Sequence, residues 1–219
     1  MKKPLLGFLI ILFLFISCSE TPKNALPASG KITSAAINLK NYKINLKLSK
    51  INWSIYIIKN NLNICHFGWG KFKEGFLNIS NAQLKNASLV VDWASLVNES
   101  IEKREERTKL LENMKGKEFL DIATYPVSMI KIISSQKIEG VSDYNTQLDM
   151  VVELCGIKQT ISVKANLREE KQHLYLNTER FTLNFKDFGM SYKGKNEGEW
   201  TDNFDWQMSI VADSTQSLF

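Results

Sequence analysis

The chain has 219 residues, is 44% hydrophobic and 23% charged, and carries a formal net charge of +5, a balance that excludes disorder and collagen-like or low-complexity structure. Two of the positive charges, Lys2 and Lys3, sit at the extreme N-terminus. The remainder carries only about +3, spread along the chain, which is not a nucleic-acid footprint.

The first element is a targeting segment. Lys2 and Lys3 precede an almost unbroken apolar run from Leu5 to Ile16. The run is shorter than the ~20 residues a bilayer span needs and fits the apolar centre of a secretory signal. Ser17 and Cys18 follow it, an arrangement similar to a bacterial lipobox. Cleavage before Cys18 leaves its thiol to take diacylglycerol and its amine to take a fatty acid. Several acyl chains anchor stably where a single chain does not. Pro22, Pro27, Ser29 and Gly30 give the next stretch the composition of a linker. The expected organisation is a signal peptide over residues 1–17, a lipidated tether over 18–36 and one folded domain over 37–219. The expected location is the bacterial cell envelope, membrane-anchored and facing the periplasm or the cell surface.

Period-two alternation dominates beyond the tether, the mark of half-buried strands. Tyr42, Ile44, Leu46 and Leu48 form the first predicted strand. Ile51, Trp53, Ile55 and Ile57 continue in the opposite phase, and Leu89, Val91 and Trp93 make another. Asn98 to Met114 breaks the rhythm with Glu, Lys, Arg and Leu, all good helix formers. Asn98 is its expected N-cap, Glu99–Lys103 and Glu105–Lys109 its expected i,i+4 pairs, and an exposed place at one end of the fold its expected position. Leu148, Met150, Val152 and Leu154 then alternate, and Cys155–Gly156–Ile157–Lys158 reads as a hairpin into Ile161, Val163, Ala165 and Leu167. Phe181, Leu183 and Phe185, then Phe204, Trp206, Met208 and Ile210, complete the series. So many antiparallel strands in sequence must close into a barrel or fold into a sandwich, because open edges are a liability.

The chemistry-bearing residues are few. His66 and His173 are the only histidines, and neither lies in H-E-x-x-H or beside a cysteine pair at ligand spacing. G-x-S-x-G, Walker and Rossmann patterns are absent. No catalytic residue, no metal ligand and no enzymatic activity are therefore expected. Cys65 and Cys155 leave a disulfide and two free thiols both open. The apolar faces are rich in aromatics, which suits a packed core and equally a cavity for one apolar ligand.

Several segments, taken in order, resemble the YceI-like family. "INWSIYI" from Ile51 is similar to its opening strand, and "HFGWGKFKEGFLNI" from His66 to its H-x-G element. "ASLVVDWASL" from Ala87, "KGKEFLDIATYP" from Lys115, "LDMVVELCGIKQTISV" from Leu148 and "FKDFGMSY" from Phe185 follow in the family's sequence. The resemblance spans roughly Leu46 to Ala212. It implies an all-β, extended antiparallel barrel, lipocalin-like, with one exposed helix between strands. It also implies a non-enzymatic protein that binds an isoprenoid lipid, a polyprenol or an isoprenoid quinone, in an apolar cavity. The expected lining is Trp53, Leu89, Val91, Trp93, Leu148, Met150, Phe181, Leu183, Phe185 and Trp206, with Phe119, Tyr125 and Tyr192 at the mouth. No cofactor other than the bound lipid is expected. The expected partners are that lipid and a bacterial membrane reached through the lipid on Cys18. Exposed strands leave a homodimer open. The alternative is a structural or adhesive barrel lipoprotein with a filled core and its function on the outer surface.

Overall fold

The computed structural model describes residues 39–139, 143–194 and 198–215. Cys18, the signal segment and the tether lie outside the described residues. The strands are β1 Lys40–Ile44, β2 Lys50–Lys59, β3 Leu62–Ser80, β4 Gln83–Asn98, β5 Val127–Lys137, β6 Thr146–Leu154, β7 Ile157–Glu170, β8 His173–Thr178, β9 Phe181–Asn184 and β10 Glu199–Ser214. The helix α1, Arg104–Lys115, stands between β4 and β5, and a 3₁₀ turn, Phe185–Phe188, follows β9.

All pairings are antiparallel, and β8 closes onto β10 to complete a ring. β1 and β2 each pair with both β10 and β3, so they share one position in the wall. β8 and β9 lie end to end along β10 and share another. Ten strands thus fill eight positions. A closed barrel of that size has an interior just wide enough for side chains or for one small ligand.

Local chemistry sets the register. Asn60 and Asn61 both have positive φ, 51° and 61°, and join Lys59 to its partner Leu62. Cys155 and Gly156, at 51° and 76°, do the same between Leu154 and Ile157. Two successive positive-φ residues make the turn whose twist matches that of the flanking strands. The β6–β7 turn is therefore two residues long, and Ile157 and Lys158, expected in the turn, belong to β7.

The first predicted strand is interrupted. Asn45 Oδ1 accepts the backbone N–H groups of Lys47 and Leu48 at 3.2 and 3.3 Å, which turns the chain after Ile44. Leu46 and Leu48 are left 43% and 60% exposed, and β2 starts in the reversed phase. In β3 a bulge between Phe72 and Glu74 switches the inward set from His66, Gly68, Gly70 and Phe72 to Gly75, Leu77 and Ile79. An extra residue in one strand has this effect because side chains alternate with a period of two.

The helix begins later than expected. Asn98 ends β4, buried, and its Oδ1 accepts the Ile101 N–H at 3.0 Å, which caps the turn leading into α1. Lys103 is the actual N-cap and offers no side-chain cap. Glu99 lies before the helix and accepts the Trp69 indole N–H at 2.9 Å, while Lys103 pairs with Glu106 at 3.0 Å. The expected Glu99–Lys103 helical pair is therefore not formed. Leu110 and Met114 anchor α1 against the end of the barrel beside β4. Phe185 ends the strand alternation by opening the 3₁₀ turn, yet its ring stays buried.

Candidate ligand-binding site

The interior is a stack of aromatic rings. Trp53 and Trp206 are directly opposed on β2 and β10. The Trp206 ring lies 5.3 Å from Trp93 and 5.5 Å from Phe204, centroid to centroid. Phe119, in the loop after α1, meets Phe185, Trp200 and Phe204 edge-on at 5.3 Å each, and Tyr192 meets Trp200 at 4.6 Å. These tilted and edge-on geometries are the favoured ones for aromatic pairs. Phe119 thereby plugs this end of the barrel.

Eleven of the thirteen expected lining residues are fully buried: Trp53, Leu89, Val91, Trp93, Phe119, Leu148, Met150, Leu183, Phe185, Tyr192 and Trp206. Phe181 is half-buried with its ring edge-on to Trp206. Tyr125 stands apart, 37% exposed, and a Cβ on Gly156 would lie 3.1 Å from its ring; it borders the β6–β7 turn rather than the interior. Five surface clefts of about 230 to 470 Å³ stand out, and of the thirteen residues only Tyr192 borders one.

Indole N–H groups distinguish this interior from a plain core. Trp93 donates to Ser128 Oγ at 2.7 Å. The buried Nε1 atoms of Trp53, Trp200 and Trp206 have no protein acceptor. An unpaired buried donor costs about 1–3 kcal/mol.

One cleft opens beside this stack, where Trp200 pairs with Ile57. About 340 Å³ in volume, it lies between the β2–β3 hairpin and α1. Ile57, Ile64, Ile101 and Leu110 supply its apolar lining, and Lys59, His66, Glu106, Lys109 and Asn113 its polar groups. Glu106, Lys109, Leu110 and Asn113 fall at i, i+3, i+4 and i+7, one stripe of the helix. Ile57 is both inward-facing and a wall of the cleft, which links the cleft to the barrel lining.

His66 is held there by a hydrogen bond to Ser100. Ser100 Oγ accepts from the Phe67 backbone N–H at 3.3 Å and from Asn98 Nδ2 at 2.9 Å. Its own proton is therefore directed at His66 Nδ1, 3.1 Å away, which places the imidazole proton on Nε2. Burial pushes the His66 pKa below its ordinary value, so the ring is neutral at pH 7. Sequence reasoning gave it no part in lipid binding beyond packing. The only signal was its place in the H-x-G element; the cleft residues Ile57, Ile64, Ile101 and Leu110 gave none, being ordinary apolar residues on separate elements.

Both described cysteines are free thiols. Cys65 is exposed on β3, whereas Cys155 sits against the Phe119 and Leu120 carbonyls at 3.5 and 3.6 Å. Burial, aided by the Asp121 charge, pushes the Cys155 thiol up to about 11. Since the thiolate is the reactive form, iodoacetamide at pH 8 is expected to label Cys65 in the native protein and to reach Cys155 only after unfolding. Peptide mass mapping checks this, and native labelling of both at equal rates would contradict it. Among the described residues no cluster of His, Cys, Asp and Glu could hold a metal ion, and no helix is long and apolar enough to cross a membrane.

No curated protein matches the chain. Among solved structures it is similar to BcnA of Burkholderia cenocepacia, with 15% identity, a TM-score of 0.59, and coverage of 77% of this chain and 98% of that one. A mutant of the CJ YceI protein with a monobromobimane guest matches with 12% identity, a TM-score of 0.50, and coverage of 67% and 85%. The YceI protein of Campylobacter jejuni gives 13% identity, a TM-score of 0.47 and the same coverage. The sequence profile of the YceI-like domain matches residues 42–213. With most of its length accounted for by that domain, and with the barrel that in this family binds hydrophobic ligands, the chain belongs to the YceI-like family.

Proposed function

We propose that the protein binds an isoprenoid-type lipid, a polyprenol or an isoprenoid quinone, and sequesters or carries it as a lipoprotein tethered to a bacterial membrane through Cys18. It does so without catalysis, in the cell envelope, facing the periplasm or the cell surface. The observation that carries this reading is the cleft at the barrel end, lined by Ile57, Ile64, Ile101 and Leu110 and joined through Ile57 to an aromatic interior. Its volume falls within the ~300–1,000 Å³ usual for small-molecule sites. Each CH₂ taken from water contributes ~0.8 kcal/mol, so a prenyl chain needs little beyond a dry wall.

The close ring-to-ring packing of Phe119, Trp93, Phe204 and Trp206 favours the second reading, a filled barrel whose function lies on its outer surface. Mass spectrometry of lipids extracted from natively purified protein separates the two. A near-stoichiometric prenyl lipid is expected, and its absence from membrane-derived protein would leave the filled-barrel reading. Anchoring is tested separately. Cys18→Ser is expected to move the protein from the membrane to the soluble fraction or to block its processing. Salt-resistant membrane partitioning of that variant, equal to the parent's, would overturn the tether.

A further inference from the structure

We propose that the cleft between the β2–β3 hairpin and α1 seats the oxygen-bearing head of the lipid, with His66 Nε2–H as the donor that selects it. The inference rests on the lipid-binding reading and assigns the polar end of that ligand a place. The cleft is amphipathic in the required sense. Ile57, Ile64, Ile101 and Leu110 line it with hydrocarbon, and the polar groups Lys59, His66, Glu106, Lys109 and Asn113 share its border.

The donor direction of His66 is fixed. Asn98 Oδ1 is held by the Ile101 backbone N–H at 3.0 Å, which orients the amide so that Nδ2 faces Ser100 and the Phe67 carbonyl, 2.9 and 3.2 Å away. Ser100 Oγ, already accepting from Asn98 and from the Phe67 N–H, gives its proton to His66 Nδ1. The chain Ile101–Asn98–Ser100–His66 thus sets a single tautomer, leaving Nε2–H as a donor with no protein acceptor among the described residues. A fixed neutral donor beside an apolar floor matches an oxygen acceptor at the end of a hydrocarbon chain. Glu106 also stands at the border, paired with Lys103 in solvent, and against it Lys59 and Lys109 leave one positive charge in excess, which adds to the preference for acceptors. A quinone carbonyl and a prenyl phosphate both present that chemistry.

Three probes sharing one ten-carbon prenyl chain test the assignment: a prenylated benzoquinone, the prenyl phosphate and prenylbenzene, which has no oxygen. Binding of each to the full-length protein is measured by quenching of tryptophan fluorescence. The parent is expected to bind at least one oxygen-bearing probe tenfold or more tightly than prenylbenzene. His66→Leu is expected to abolish that preference, a loss of about 1.4 kcal/mol, while binding prenylbenzene within twofold of the parent. His66→Gln, which restores an N–H donor, is expected to recover part of the preference. A preference that survives His66→Leu in a variant with parental melting overturns the inference and leaves lipid binding intact. Failure of all three probes to bind overturns the lipid-binding reading itself. Lys59→Gln combined with Lys109→Gln identifies the head: if the parent prefers the phosphate probe and the double variant loses that preference, the head is an anionic oxygen, and if the parent prefers the quinone and the double variant keeps that preference, the head is a carbonyl. Either result supports the seat at His66.

Discussion

Gly68→Ala is expected to destabilise the protein by roughly 3 kcal/mol, the upper end of overpacking costs. A fall of roughly 6–12 °C in Tm follows for a domain of this size. Gly68 faces the interior from β3, between Trp53 on β2 and Asn98 on β4. A Cβ there would lie 1.9 Å from the Val97 carbonyl oxygen and 2.8 Å from Trp53 Cζ2. The first obstacle is backbone and the second is a fully buried indole, so neither gives way cheaply. Gly70, the next inward residue of the same strand, is the control. Its Cβ would meet the Leu96 and Ile51 methyl groups at 3.4 and 3.5 Å and Ser95 Oγ at 3.8 Å, ordinary van der Waals contact, and Gly70→Ala is expected to change stability by less than about 1 kcal/mol. Thermal and urea unfolding of the two variants side by side measure the difference. Equal effects at both positions would show that β4 does not press on β3 at Gly68. The same displacement of Val97 and Asn98 would pull Ser100 away from His66, so Gly68→Ala also predicts weaker binding of oxygen-bearing probes.

The strand rhythm was legible because one face of each strand is buried, and alternation follows directly from that. Leu148, Met150, Val152 and Leu154 all face inward as the pattern says. Leu46 and Leu48 carry the same pattern and are exposed, because the Asn45 side chain captures two backbone N–H groups and forms a turn that hydropathy does not register. β3 was illegible in its middle for a different reason: the bulge at Phe72 and Glu74 inverts the phase, and its position depends on β4. The start of α1 was misplaced because Asn98 has the right residue type for a cap but spends its side chain on a turn before the helix. At the site, the aromatic interior was visible as residue type and periodicity. The cleft was not, since Ile57 and Ile64 pair across the β2–β3 hairpin while Ile101 and Leu110 reach them only because the β3–β4 pairing returns the chain to that end. His66 was visible as a residue and not as a donor, because its tautomer is set by Ser100, 34 positions away.

Trp206→Ala is expected to cost the lipid-free protein about 3–5 kcal/mol, the range for deleting a large buried aromatic, or a fall in Tm of roughly 6–20 °C. Trp206 is fully buried mid-strand in β10, opposite Trp53 and in ring contact with Trp93, Phe181 and Phe204. Truncation leaves a void the size of an indole that the closed wall cannot collapse to fill. Trp206→Phe separates ring from donor. It keeps most of the packing and removes an indole N–H that has no acceptor, whose burial costs about 1–3 kcal/mol. Its expected deficit is therefore below about 2 kcal/mol. Lipid then distinguishes the two views of the interior. If a prenyl chain enters the barrel, the void in Trp206→Ala is apolar space it can occupy, and saturating lipid raises the Tm of this variant more than that of the parent, as expected for a ligand that binds only the folded state. If the barrel is a filled core, lipid leaves the Trp206→Ala deficit unchanged. A cost below about 1 kcal/mol for Trp206→Ala would contradict the packing itself and mark this level of the barrel as open.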